Sequence, residues 1–409
     1  MLRLENDPKT LLKLTIDTTD KCNLRCAYCL QGDKGKTSLP GGKISETLRA
    51  VEERGLLEAY LVGQEMTLHP DLEEILEATH LLDKTGSVML TNGTLLTPQM
   101  IEWIAKSNLS RVCISIDGPT PETHNFHRGN NFERVIKGLH QLQETGKPII
   151  VVSVAAQSNV EEIHKLSEFL AEEKLAQQHH IIAVTKSGLA KDDFDGMKLS
   201  MDEIVGLQGR VEERHQDLRD MGLFTAFSSH WPTTGNLPQT RDPRLLTTFE
   251  LSEQLKSSNV VLRANGAMNP AVNAWAREFS EGSAAIGNVF TKNPGMLLDM
   301  VADLYESKPL QATREAEAVS KYGLDLPEQD YAVESIPLVQ IDDMPVMAVP
   351  LLDGQLATLA QEFIGNESDY RAITTNGDTI IVYHKPSSHA LLLKPNEFQK
   401  LSDIIDEQK

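Results

Sequence analysis

Three of the four cysteines in this 409-residue chain fall within eight positions, in Lys21-Cys22-Asn23-Leu24-Arg25-Cys26-Ala27-Tyr28-Cys29. The spacing Cys-x3-Cys-x2-Cys lets Cys22, Cys26 and Cys29 turn inward on one centre, as an iron–sulfur cluster or a zinc ion requires. With only three ligands close together, a four-iron cube would keep one iron without a protein thiolate, and that iron could take a substrate or a cofactor. Two plainer readings stand beside the cluster: a structural zinc site with a distant fourth ligand, and three free buried thiols.

Further residues of chemical interest recur downstream. In Gly63-Gln64-Glu65 the glycine lets backbone approach a ligand and Glu65 could accept hydrogen bonds from an ammonium group, although an ordinary turn with a solvated carboxylate reads the same. Thr91-Asn92-Gly93 carries Asn-Gly, which is also a plain turn signal. Ser115-Ile116-Asp117-Gly118-Pro119, with Glu122, His124 and Arg128-Gly129 behind it, is the fullest constellation. The planar fork of Arg128 suits a carboxylate, with a surface salt bridge as the bland alternative. Cys113 falls on the same side of its strand as Ser115 and Asp117 but deeper, and reads as an inert buried thiol rather than a hydrogen donor. His124 and His127 have metal-pair spacing, but no nearby carboxylate–cysteine set completes a site, so they read as loop residues. His179-His180, opening a strand, are set aside in the same way.

These residues need elements to position them. Alternation from Leu11 to Asp17 predicts a short strand feeding the cysteine loop, and a helix follows near Ile44 after Gly41-Gly42. A strand from Ala59 runs into Gly63, with a helix from about Pro70. Strand Ser87–Thr91 precedes a helix opened by Thr97-Pro98. Strand Arg111–Ile116 leads through a long loop to a helix bearing Phe132, Val135, Ile136 and Leu139. Strand Pro148–Val154 leads to a helix begun by Asn159-Val160-Glu161-Glu162, and strand His180–Thr185 ends the series. Six strand–helix units in about 190 residues predict an α/β fold, a parallel sheet closed or partly closed as a (β/α)6 TIM-like barrel. Ligands in such folds sit at the carboxyl ends of the strands, where every cluster above falls.

Cys-x3-Cys-x-aromatic-Cys after a first strand resembles the signature of the radical S-adenosylmethionine (SAM) superfamily. Gly63-Gln64-Glu65 resembles its Gly-Gly-Glu-Pro motif, with Gln64 for the second glycine and Met66 for the proline. Thr91-Asn92-Gly93 and Ser115 to Arg128 resemble its third- and fourth-strand motifs, the latter as found in members that modify peptides and proteins. The resemblance implies a [4Fe-4S] cluster on Cys22, Cys26 and Cys29, with SAM on the fourth iron. It further implies cofactor contacts at Tyr28, Gly63, Gln64, Glu65, Asn92, Ser115, Asp117 and Arg128. Glu65 would meet the amino group of SAM, Ser115 its ribose or methionine part, and Arg128 its carboxylate. One electron from a reduced flavodoxin or ferredoxin would split SAM to methionine and a 5′-deoxyadenosyl radical, which would take hydrogen from a peptide or protein side chain. A small molecule (sugar, nucleoside or amino acid) is the alternative substrate, and a non-enzymatic zinc-binding interaction protein the alternative of another class. No particular residue is singled out as the catalytic acid, base or hydrogen donor.

Beyond residue 195, Ser200-Met201-Asp202-Glu203 is a capping box opening a long helix. Trp231 to Pro238 reads as a loop, Val260 to Pro270 as a hairpin around Asn265-Gly266, and Gly287-Asn288-Val289 precedes a helix near Pro294–Leu304. This order resembles the SPASM or twitch extension of the same superfamily. The absence of cysteine after Cys113 rules out the auxiliary cysteine-ligated clusters of those extensions. From about Asp330 the pattern predicts strands at Ser335–Ile341 and Pro345–Leu351, a helix at Gln355–Phe363, a hairpin over Tyr370–His384 and a helix at Asn396–Asp406. The expected units are a radical SAM core (1–195), the extension (196–325) and a small α+β unit (326–409) for substrate or partner recognition.

Composition bounds the rest. Hydrophobic residues at 40% and charged residues at 24% suit a soluble chain with an ordinary core. A formal charge of -20 repels phosphate backbones, so nucleic acid is not an expected partner. No apolar run approaches a membrane span, the N-terminus lacks the apolar core of a signal peptide, and a reducing compartment suits unpaired thiols, so cytoplasm is the expected location.

Overall fold

The computed structural model describes residues 4–6, 13–32, 34–184, 188–228, 245–247, 259–270, 285–307, 356–357, 360–361, 363–364, 366–374, 380–386 and 389–408. In chain order the elements are β1 (Leu4–Asn6), β2 (Lys13–Asp17), α1 (Gly41–Arg54), β3 (Glu58–Val62), α2 (Leu72–Ala78), β4 (Gly86–Thr91), α3 (Pro98–Lys106) and β5 (Arg111–Ser115). Then come α4 (Pro121–Arg128), α5 (Phe132–Gln143), β6 (Ile149–Ala155), α6 (Ile163–Glu172), β7 (Gln178–Ala183), α7 (Phe194–Met197), α8 (Met201–Asp220) and β8 (Phe224–Ser228). The last are β9 (Leu245–Thr247), β10 (Asn259–Leu262), β11 (Ala267–Pro270), β12 (Gly287–Asn288), α9 (Pro294–Ser307), β13 (Tyr370–Thr374), β14 (Ile380–His384), β15 (His389–Leu393) and α10 (Pro395–Gln408).

The six expected strand–helix repeats are β2 to β7, and they form the parallel centre of a larger sheet. Its order is β12-β11-β10-β2-β3-β4-β5-β6-β7-β8, with every ladder from β10 to β8 parallel. β8 adds a seventh parallel strand at one side. On the other, the expected hairpin around Asn265-Gly266 lays β10 parallel to β2, with β11 and β12 antiparallel beyond it. Gly266 turns the hairpin at φ +82°, a left-handed conformation that suits glycine.

Alternation along the strands divides two environments. Leu14 and Ile16 of β2, Leu61 of β3 and Met89 of β4 pack outward on Ile44, Leu48, Ile75 and Leu139 of the covering helices. The inner face carries Lys13, Thr15 and Asp17 of β2 in one column, and Val88, Cys113 and Ile150 in an apolar patch between β4, β5 and β6. The expected caps at Thr97 and Ser200 hold α3 and α8, the latter as a reciprocal box with Glu203.

Three local expectations are corrected. The helix expected near Ile44 starts at Gly41, whose amide donates to Asp71 Oδ2 (3.0 Å). The stretch after Pro119 expected as a long loop holds α4, opened by a box between Thr120 and Thr123 with Pro121 in its first turn. That box lacks the Glu or Gln usual at its third position, which hid it. Asn159, expected to cap a helix, sits in a turn, and α6 starts at Ile163 without a side-chain cap.

The hairpin expected at Tyr370–His384 is β13 and β14, and α10 is the expected last helix. Of the helix expected at Gln355–Phe363, Leu356, Ala357, Ala360, Gln361 and Phe363 are helical. The strands expected at Ser335–Ile341 and Pro345–Leu351 and the Trp231–Pro238 loop lie outside the described residues. The sheet around this hairpin runs β1-β13-β14-β15-β9, so it takes one strand from each of two distant segments, 4–6 and 245–247.

This second sheet meets the barrel at the amino ends of its strands, away from the cysteine loop. Arg111, at the start of β5, forms an ion pair with Glu58, at the start of β3; both are fully buried. Tyr383 Oη donates to Glu58 Oε1 (2.6 Å), and Arg111 Nη1 donates to the Lys385 carbonyl (2.7 Å). Arg371 donates to the carbonyls of Leu56 and Gly55, and a Cβ at Gly86 would lie 2.7 Å from Tyr383 Oη. Within the described residues, then, the C-terminal sheet closes the barrel floor.

Candidate active site

The parallel strands deliver their loops to one end of the barrel. β2 leads to the cysteine loop, β3 to Gly63-Gln64-Glu65, β4 to Asn92-Gly93 and β5 to Asp117. Backbone bonds stitch the first two together: Gln64 N donates to Thr19 O (2.9 Å) and Glu65 N to Lys21 O (2.9 Å). A Cβ at Gly63 would lie 2.9 Å from Thr19 O and 3.1 Å from Thr18 Oγ1, so this close approach requires glycine.

Glu65 is buried and ties the second motif to the third. Its Oε1 accepts from Thr67 N (3.1 Å), Thr67 Oγ1 (2.6 Å) and Thr91 Oγ1 (2.7 Å), and its Oε2 accepts from Asn92 N (2.7 Å). The Asn92 amide in turn donates to Asn23 Oδ1 (3.0 Å) inside the cysteine loop, and Asn23 donates to Thr94 (2.8 Å).

A second network braces the far side of the loop. Asp117 is fully buried; Arg128 Nε donates to its Oδ2 (2.5 Å) and Nη2 to its Oδ1 (3.3 Å). The same carboxylate accepts from Tyr28 Oη and from Val154 N (2.9 Å). Arg128 lies 5.4 Å from the Tyr28 ring centre, and the Ala27 amide donates to His127 O (3.0 Å). Asp117 and Arg128, both expected at the cofactor, therefore bind each other and hold Tyr28 beside Cys29. Ser115 ends β5, half-buried, next to this pair.

Cys22, Cys26 and Cys29 are unpaired and half-buried. A cavity of about 360 Å³ opens against Cys29, lined by Leu24, Arg25, Gly32, Lys34, Gln64 and Leu189. Gly188, at φ +56°, packs so closely on the Cys29 carbonyl that a Cβ would not fit, and Leu189 N donates to Cys29 O (2.9 Å).

Residues 16–170 match the Radical SAM superfamily. This chain carries a radical SAM domain. It is similar to the AdoMet-dependent heme synthase of Methanosarcina barkeri, with 32% identity over 196 residues, 46% of this chain and 54% of that protein. It is similar also to the GTP 3′,8-cyclase of Aquifex aeolicus, with 27% identity over 214 residues, 50% of this chain and 66% of that protein. The chain thus spans about half to two thirds of the length of these relatives. Among solved structures its fold resembles Streptococcus suis SuiB bound to S-adenosylmethionine, with TM-score 0.57 and 20% identity over 73% of this chain and 66% of that one. It resembles anSMEcpe with bound AdoMet as well, with TM-score 0.51 and 16% identity over 72% of this chain and 82% of that one. These likenesses cover more than the barrel core and show the shared fold.

The superfamily uses a [4Fe-4S] cluster and SAM, and the donor set here fits them. Burial pushes all three thiols above their ordinary range, Cys26 to about 11, so as free thiols they stay protonated at neutral pH. Such thiols are poor nucleophiles, but a metal centre displaces their protons. Backbone amides already face two of the sulfurs: Leu24 N donates to Cys22 Sγ (3.3 Å), and the amides of Gln31 and Gly32 face Cys29. The Arg128 cation near Cys26 and Cys29 favours their anionic form. Among the described residues no three His, Cys, Asp or Glu side chains converge on one ion. A multi-iron cluster does not require that convergence, because each thiolate takes a different iron.

The set-aside residues behave as structure. Burial raises the Cys113 thiol to about 12. His124 accepts from Asp117 N through Nδ1 and bonds Asn131 through Nε2, within α4 rather than a loop. His127 bonds Ser158 (2.6 Å), and His179 bonds Ser153 and Ser167.

Several residues that brace the site carry no such role in the sequence pattern. Asn159 donates to the carbonyls of Asp117 and Val154 (both 2.9 Å), locking the Asp117 turn. Asp17 ends β2 in a buried ion pair with Arg263 (2.6 Å) and accepts from Gln31 (3.1 Å), two residues past Cys29. A carboxylate at the end of the strand feeding the cysteines was a signal for Asp17; its partner 246 residues on had none.

Among the described residues no helix is long and apolar enough to cross a membrane.

Proposed function

We propose that this chain is a radical SAM enzyme acting on a peptide or protein side chain. Cys22, Cys26 and Cys29 would hold the [4Fe-4S] cluster, and SAM would take the cavity between Cys29 and Gln64. When bound, the cluster would supply one electron, delivered by a flavodoxin or ferredoxin, for cleavage of SAM to methionine and a 5′-deoxyadenosyl radical, and that radical would take a hydrogen atom from the substrate.

The chain's own residues do the rest. The Asp117–Arg128 pair fixes Tyr28 and the loop carrying Cys26 and Cys29. Glu65 sets the backbone of Asn92 and, through Asn92, the position of Asn23 beside Cys22. Arg128 spends two of its nitrogens on Asp117, so a SAM carboxylate would meet the remaining edge of the guanidinium. The barrel walls exclude water from the reacting C–H bond.

The observation that carries this reading is the gathering of all four motifs at the carboxyl ends of neighbouring strands, hydrogen-bonded to a loop with three unpaired cysteines and beside a cavity lined by Cys29 and Gln64. A peptide substrate is supported by the Ser115–Arg128 constellation and by the fold likeness to SuiB, seen also bound to the precursor peptide SuiA. A small-molecule substrate is the second reading, favoured by the likeness to proteins named GTP 3′,8-cyclase. A reducing cytoplasm suits the three thiols.

Anaerobic reconstitution tests the class. About four irons per chain, a reduced-state electron paramagnetic resonance signal altered by SAM, and release of 5′-deoxyadenosine are the expected results. Zinc alone, or a signal blind to SAM, refutes it. A precursor-peptide gene beside this one would favour the peptide.

A further inference from the structure

The β10–β11 hairpin puts one unusual side chain on the inner face of the barrel. Along β10, Val260 and Leu262 pack in the outer core, so Val261 and then Arg263 face the opposite way, inward. The ladders register Val261 with Thr15 of β2 on one side and with Asn269 of β11 on the other. Residues directly opposed in a ladder share a face. On the alternate face, Met268 pairs with Leu262 in the outer core. Asn269 therefore faces the lumen, about 10 Å from Thr15 across two strand spacings, one side-chain layer beneath the Asp17–Arg263 pair.

Asn269 is 1% exposed, and neither its Nδ2 nor its Oδ1 has a hydrogen-bond partner. Among the described residues it is the only side chain with two buried polar atoms that both lack a partner. Folded chains pair almost all such atoms, and leaving them bare destabilises the fold, so a chain that keeps a bare carboxamide in a lumen gains by it elsewhere.

We infer that Asn269 is a substrate-recognition residue that pairs with an amide group of the substrate, one presenting a C=O beside an N–H. A carboxamide holds a donor and an acceptor side by side. A carboxylate would satisfy only its N–H₂ and an ammonium only its oxygen, whereas a peptide unit satisfies both. The inference rests on the peptide reading above and gives it a place: the substrate backbone, or an Asn or Gln side chain, docks along β11 below the Asp17–Arg263 pair. That pair, tied to Gln31, separates the amide subsite from the cysteine loop.

The test compares wild type with Asn269→Leu, close in size and without polar atoms. Three measurements are made: thermal melting of the apo-protein, 5′-deoxyadenosine formation by the reconstituted protein with SAM and dithionite alone, and saturation-transfer NMR with N-acetyl-trialanine amide, using GTP as the comparison probe. The expected results are a melting temperature unchanged or raised, unchanged 5′-deoxyadenosine formation, and transfer to the peptide amide weakened ~30-fold, the loss of two hydrogen bonds. A melting temperature lowered by several degrees shows a structural carboxamide and overturns the inference. So does peptide transfer indifferent to the substitution, and so does Asn269-dependent transfer to GTP alone, which assigns the subsite to a nucleobase. Absence of 5′-deoxyadenosine from wild type refutes the radical reading instead, and the melting and NMR results stand apart from it.

Discussion

Replacing Tyr383 with Phe removes a single oxygen from the floor of the barrel, and its consequences can be worked out atom by atom. Tyr383 is fully buried and donates at 2.6 Å to Glu58, which is itself fully buried and paired with Arg111. Burial and the Glu58 charge hold the Tyr383 hydroxyl well above its ordinary titration range, so it stays a donor at any working pH. Phe keeps the ring and its packing, so no cavity term arises. What is lost is one hydrogen bond to a charged group, about 1.5–3 kcal/mol, while Glu58 keeps Arg111. Arg111→Met is harsher: it strands a buried carboxylate and frees the Lys385 carbonyl, for about 3–5 kcal/mol.

Urea unfolding gives the two stability losses, and hydrogen exchange followed by mass spectrometry locates them. Faster exchange in β13, β14 and β15 is expected in both variants. SAM cleavage by reconstituted Tyr383→Phe should match wild type, because the substitution lies at the opposite end of the strands from the cysteines. A loss below ~0.5 kcal/mol with unchanged exchange would refute the account of how the C-terminal sheet is held. A large change in SAM affinity without a change in stability would refute the separation of floor and site.

Cys26→Ser should lose the bound iron and 5′-deoxyadenosine formation, whereas Cys113→Ser should retain both, as iron assay and product analysis will show. Gly63→Ala pushes a Cβ to 2.9 Å from Thr19 O, and a stability loss of ~1–3 kcal/mol with weaker SAM binding is expected from melting and titration. Burial lowers His179 to about 3 from an ordinary 6.5, so the unfolded chain binds the extra proton between those values. Stability is then full above pH 6.5 and falls as pH drops towards 3, by up to ~1.4 kcal/mol per unit; His179→Gln should flatten the slope in urea titrations from pH 6 to 4. Arg25, Lys34 and Lys36 are exposed around the cysteine loop of an otherwise acidic chain. Lys36→Glu, outside the cavity lining, should slow turnover driven by a reduced flavodoxin at low salt but leave dithionite-driven turnover unchanged, with the difference shrinking as salt rises.

What could be read from sequence, and what could not, divides by the range of the interaction. The strand–helix repeats and the Thr97 and Ser200 caps are local patterns, and so are the motifs at the strand ends. Parallel strands then bring those ends together without any further information. Asn159 misled because its side chain, which matches a cap by type, is taken by two carbonyls of the neighbouring strand and turn. The α4 helix was hidden because Thr123 stands where a capping box usually has Glu or Gln.

The lateral pairings are a different case, because they depend on register between segments far apart. Arg263 meets Asp17 only because β10 pairs with β2 so that Leu262 lies opposite Ile16, which brings the next residues on both strands side by side on the inner face. A slip of one residue would turn Arg263 outward into the apolar core and leave Asp17, a buried carboxylate beside the cysteine loop, without its cation. That penalty makes the pair a register lock for the whole hairpin. The orientation of Asn269 follows from it, since the β10–β11 ladder fixes Asn269 opposite Val261. The chain therefore specifies its lumen twice over, with apolar residues that choose the outer face and one ion pair that penalises the alternative.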